Sequence, residues 1–132
     1  MASPNFGNDL YVIHATYDFT VSGGAVGAIA LIGGDGVATC QIQDGALVLS
    51  VTPAVETACT SGGAATIRVD GATSGAMTAA TGVASYAINA GLPLATTGLY
   101  STAAQALQIT IATAALTAGR VHYYFLCTNA FV

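Results

Sequence analysis

Lysine and tryptophan are absent from these 132 residues, and only Arg68 and Arg120 bring positive charge against six carboxylates. With a net charge of -4 and two cations, nothing can neutralise a row of phosphates, which argues against nucleic-acid binding. The same shortage argues against docking on an anionic membrane surface. Charged residues make up 6% of the chain, where a soluble domain ordinarily carries about 25%. Long apolar runs are missing too. Each is broken by glycine or a polar residue well short of the ~20 residues of a membrane helix. The opening MASPNFGND has neither a basic segment nor an apolar stretch, so the expectation is a protein without a secretory signal, made in a cytoplasm.

The chain instead holds 27 alanines, 17 threonines and 16 glycines. Its length suits one domain. Its surface must be dressed in small and neutral polar groups, which can meet a neighbour without the desolvation cost that lysine and glutamate carry. The three cysteines, Cys40, Cys59 and Cys127, form no CxxC pair. They are expected as buried thiols acting as small hydrophobes, with a Cys40–Cys59 disulfide as the alternative.

Period-two alternation is the dominant pattern. In residues 10–20, Tyr11, Ile13, Ala15, Tyr17 and Phe19 share one face. Further strands are expected over residues 25–32, 37–42, 46–55 and 64–71, with Pro53 ending its strand or marking an edge. CTSGG, residues 59–63, is expected as a loop. Residues 72–102 are ambiguous between a short helix, short strands and a long connection. Residues 108–127 read as a β-hairpin, with Val121, Tyr123, Phe125 and Cys127 on one face of its second strand. The expected architecture is all-β: an antiparallel β-sandwich, jelly-roll-like or Ig-like, of about seven or eight strands. Residues 1–9 are expected as an extended arm or a tail, and residues 10–132 as a single β-sandwich domain.

Candidates for chemistry are sparse. His14 and His122 lie on alternating strands and approach each other only if the first and last strands pair; a metal site would need a third ligand. Asp35, Asp44 and Asp70 each precede glycine, which fits turns. No calcium-loop spacing, phosphate cradle or GxSxG elbow is present. No cofactor, metal or catalytic group is therefore expected, and the reading is of a non-enzymatic protein. The aromatics are more suggestive. If Tyr123 and Phe125 point inward, Tyr124 and Leu126 point outward, and large apolar groups on both faces imply a strand covered on both sides.

Three segments, ATYDFTVSGGAVGAIAL, IQDGALVLSVTPAVETACTSGGAATIRVDG and LQITIATAALTAGRVHYYFLC, resemble the head decoration, or cement, proteins of tailed bacteriophages. The resemblance spans residues 15–127 and is structural in character. It implies a β-sandwich on the outer surface of a capsid, often a homotrimer at a local three-fold position, bound to the major capsid protein. It also implies assembly onto the virion in the host cytoplasm. No contact residue is carried over from the family. From this chain's own pattern, Phe6, Tyr124, Leu126 and Phe131 are the candidate subunit or capsid contacts, with Phe6 on the arm as a plug for a neighbour's pocket. The alternatives are another virion part, such as a tail, fibre or head-completion component, and a carbohydrate-binding β-sandwich using Tyr86 and Tyr100.

Overall fold

The computed structural model describes residues 10–34, 39–89 and 100–129. The elements in chain order are β1 (Leu10–Asp18), a helical turn α1 (Phe19–Ser22), β2 (Gly27–Ala30), β3 (Ile32–Gly33), β4 (Gln41–Ile42), β5 (Ala46–Ser61), β6 (Thr66–Gly71), β7 (Gly75–Ala76), β8 (Thr81–Gly82), a 3-10 turn (Val83–Ser85), β9 (Gln105–Ala112) and β10 (Leu116–Asn129). One sheet runs β3-β1-β10-β5. The other runs β2-β9-β6-β7, with β4 beside β9 and β8 beside β6. The pairings are antiparallel. The sandwich expectation holds. Ten strands are present among the described residues rather than seven or eight, because β3, β4, β7 and β8 are two-residue segments.

The alternation sorts side chains as expected. Ala15 and Tyr17 of β1, and Val121, Tyr123, Phe125 and Cys127 of β10, are buried. From the opposite sheet Ile67, Val69, Leu107, Ile109 and Ile111 join the same core. Each such aliphatic or aromatic side chain stabilises the fold by roughly 1.5–3 kcal/mol. β1 stops earlier than its alternation does. The Asp18 carboxylate accepts from Thr20 N at 3.0 Å and Thr20 Oγ1 at 2.7 Å, capping α1 and turning the chain.

The largest departure concerns the expected C-terminal hairpin. β9 and β10 are consecutive, but they lie in different sheets and form an arch. Both edges of β9 are occupied, by β2 and β4 on one side and β6 on the other; those of β10 are occupied by β1 and β5. The connection turns at Thr113 (φ 75°), and Leu116 N donates to Gly24 O at 2.8 Å. Residues 25–32, expected as one strand, likewise divide between sheets. β2 pairs with β9 and β3 with β1, and the chain crosses at the fully buried Leu31, whose N–H donates to Leu107 O at 2.9 Å.

Other local expectations shift for physical reasons. Pro53 lies within β5 opposite Tyr123, on the outermost strand of its sheet, so its missing N–H removes no ladder bond to β10. β5 then continues through residues expected as loop: Ser61 Oγ donates to Ala115 O at 2.7 Å, and Thr60 Oγ1 meets Thr117 Oγ1 at 2.7 Å. Asp44-Gly45 is a turn, with Gly45 at φ 85°, but it joins β4 to β5 across sheets. Asp70-Gly71 is not a turn. Both residues lie in β6, and the turn follows at Ala72–Ser74, where Gln105 Oε1 accepts from Thr73 N and Ser74 N. In 72–89 the ambiguity resolves into β7, β8 and the 3-10 turn. Of the expected strand at 37–42, Gln41–Ile42 is strand and Thr39 forms a bridge to Ile32, while 37–38 lie outside the described residues. The arm at 1–9, with Phe6, lies outside the described residues, as do Asp35 and Phe131.

Candidate interaction face

The pairing register decides what stands on the outside of the four-stranded sheet. Val12 pairs with Leu126, His14 with Tyr124, Thr16 with His122, and Asp18 with Arg120. On the far side of β10, Leu126 pairs with Ser50, Tyr124 with Thr52 and His122 with Ala54. One end of this outward face is apolar. Leu10, Val12, Leu49 and Tyr124 are exposed, at 50%, 60%, 42% and 41%, and Leu126 lies half-buried among them. The outward groups of the other sheet differ in kind: Ala28, Ala30, Thr66, Arg68, Gln108 and Thr110. The structure therefore places Tyr124 and Leu126 on the outward face.

The other end of the face carries a polar network across three strands. His14 Nε2 lies 2.9 Å from His122 Nδ1, and Thr16 Oγ1 lies 3.3 Å from the same Nδ1. His122 Nε2 faces Glu56 Oε1 at 3.7 Å. Glu56 Oε2 accepts from Arg120 Nε at 2.9 Å, and Arg120 Nε reaches Asp18 Oδ2 at 3.8 Å. The carboxylate beside His122 Nε2 favours a hydrogen on that nitrogen, which leaves Nδ1 as acceptor and makes His14 Nε2–H the donor. His14 also stacks on Tyr124, with ring centroids 4.8 Å apart and planes 9° off parallel. Gly34 closes over His14: a Cβ there would stand 2.8 Å from Nδ1. Burial, and secondarily the neighbouring His122, hold the His14 pKa below its ordinary value. A cleft of about 200 Å³ opens beside the network, lined by Thr16, Asp18, Ile32, Gly34, Arg120 and His122.

The conditional expectation that the two histidines meet is realised, because β1 and β10 pair along their length. Glu56 and Arg120 were not recognisable as partners in sequence, since β5 contributes Glu56 through a ladder of irregular register. Among the described residues no group of three His, Cys, Asp or Glu side chains could hold a metal ion. All three cysteines are buried thiols, and burial pushes Cys59 and Cys127 up to about 11, which disfavours the nucleophilic thiolate at neutral pH. Tyr86, considered above as a sugar contact, is instead core: it is 2% exposed and accepts from Tyr123 Oη at 3.2 Å. Tyr100 is 37% exposed. Asp70, expected in a turn, is buried on β6, accepting from Thr110 Oγ1 at 2.8 Å and Gln108 Nε2 at 3.0 Å, with Arg68 Nε at 3.3 Å. No helix among the described residues is long and apolar enough to cross a membrane.

No protein-family model matches the sequence, and no curated protein is detectably similar to it. Solved structures are similar in fold. A chain of the cyanophage Pam1 capsid asymmetric unit aligns with TM-score 0.66 and 23% identity over 97% of this chain and 91% of its own. A chain from the capsid of Ralstonia phage GP4 aligns with TM-score 0.64 and 13% identity over 100% of this chain and 92% of its own. A chain from the acid-stable capsid structure of Helicobacter pylori bacteriophage KHP30 gives 0.62 and 13%, over 92% and 89%.

Proposed function

We propose that this chain is a non-enzymatic structural protein of a bacteriophage virion, and that it acts as a decoration protein on the outer surface of the head. The observation that carries the reading is the fold, shared over nearly the whole chain with chains of three phage capsid structures. The resemblance of the sequence segments to cement proteins points the same way. The charge-poor surface suits a repeated tile packed against neighbours. In this reading the outward face of the β3-β1-β10-β5 sheet docks on the major capsid protein, with Leu10, Val12, Leu49, Tyr124 and Leu126 as its apolar contacts. Phe6 and Phe131, at the two ends of the chain, are proposed as further contacts. The assembly proposed is a homotrimer clamping adjacent capsid subunits. Each contact can be modest, because many copies and several sites per assembly multiply the effect.

Light scattering on the purified protein, followed by co-sedimentation with empty phage capsids, tests the reading. A discrete trimer that pellets with the capsids supports it. A monomer that stays in the supernatant at saturating concentration removes it. Deleting residues 1–9 is expected to weaken co-sedimentation and leave the circular dichroism spectrum unchanged; undiminished occupancy removes the arm from the reading.

A further inference from the structure

Two imidazoles meet at 2.9 Å on the outward face of the four-stranded sheet. We propose that the His14–His122 pair makes docking of this face pH-dependent, with docking strong when the pair is neutral and weakened when it takes up a proton in mild acid. The proposal rests on the docking reading above.

The geometry carries the argument. The hydrogen bond between the rings requires a lone pair on one of the two facing nitrogens. A proton on His122 Nδ1 keeps the bond only if the His14 hydrogen moves from Nε2 to Nδ1, so that His14 Nε2 becomes the acceptor. The remaining open position is His14 Nδ1, which faces the Gly34 backbone. A proton there charges a ring already stacked on Tyr124, a residue of the docking face itself. Both routes put charge on a half-buried pair, and a partner lying over the face would strip away the water that stabilises it.

The surrounding charges, two carboxylates against one guanidinium, offset part of this cost in the free protein. From β1 the pair faces Asp18, from β10 Arg120 and the Tyr124 ring, and from β5 Glu56. Arg120 already engages both carboxylates. Among the described residues, α1, β3 and Gly34 bring no titratable group. Because docking disfavours the charged pair, the docked state binds protons less readily than the free state, and linkage then requires affinity to fall as pH falls.

The test compares co-sedimentation with the same capsids at about pH 7.5 and about pH 5.5, a window that brackets ordinary imidazole titration. The proteins are the wild type, His14→Gln and His122→Gln, each first checked for a native circular dichroism spectrum. The expected result is a wild-type affinity about tenfold lower in acid, equivalent to one pKa unit between free and docked states. The Gln variants should lose most of that difference. Should one variant not fold, the other still decides, since either substitution removes the pair. Equal wild-type binding at both pH values, or an undiminished acid loss in the variants, overturns the histidine proposal and leaves docking intact. No binding at either pH overturns the docking reading and this proposal with it.

Discussion

Asp70 shows how a single residue can reverse its sequence reading. An Asp-Gly pair after a run of alternating residues has the chemistry of a turn. Here Thr110 and Gln108 on β9, and Arg68 on β6, surround the carboxylate and hold it in the ladder. Asp70→Ala is expected to destabilise the protein by about 1–3 kcal/mol, because the Thr110 and Gln108 donors lose a buried acceptor. Urea denaturation measures it, and an unchanged midpoint would show that water replaces the carboxylate freely. Exposed pairs should matter less: Arg120→Gln, at the Glu56 contact, is expected to cost no more than about 1 kcal/mol. The His14 pKa makes a prediction for the free protein as well. A histidine whose folded pKa is depressed contributes stability that is complete above the unfolded value of about 6.5 and is lost as pH falls through the depressed folded value. The thermal midpoint of the wild type should therefore fall in this acid window more than that of His14→Gln.

Between elements, alternation announced which face of each strand is buried but was silent on which sheet the strand joins. Leu107, Ile109 and Ile111 would be buried equally well in a hairpin with β10 or in the sheet opposite it. The choice is made by non-local pairing, β1 with β10 and β6 with β9, which a local pattern does not encode. The same holds for the polar network, whose members lie on β1, β5 and β10. Edges were partly legible, since Pro53 signals a strand with an unneeded N–H. The arch itself carries a detectable signature in Thr113, a β-branched residue at φ 75°. A left-handed backbone costs such a residue about 1–2 kcal/mol, and asparagine tolerates it better. Thr113→Asn should raise stability by about 1 kcal/mol, read as a higher denaturant midpoint; a lower midpoint would mean that the exposed threonine side chain holds the arch in a way its geometry does not reveal. At the base of β10, Gly119 (φ 148°) sits against Cys59, so that a Cβ would approach Cys59 Sγ at 2.6 Å. Gly119→Ala is expected to cost about 1–3 kcal/mol, and would also disturb the β5–β10 ladder that presents Glu56.

For the whole molecule, the contrast between the two outer faces is the relevant property. One is small and polar; the other combines an apolar strip with a titratable network. Tyr124→Ser combined with Val12→Asp should leave the fold intact, since both side chains project outward, and should reduce particle occupancy about tenfold, the effect of losing one good anchor in an interface. Equal occupancy would move the search to the alanine- and threonine-rich face.

The long pairing of β1 with β10 also governs how the molecule bears load. Leu10 lies opposite Thr128, so the described chain starts and finishes side by side at one end of the sheet. Tension applied between those two ends peels the ladder open one pair at a time, starting at Leu10. Tension between either end and a surface gripped elsewhere pulls along the strands and strains many ladder bonds together. A tile anchored by its sheet face and tugged from a single tail is therefore mechanically strong, while one tugged by both tails in opposite directions is weak.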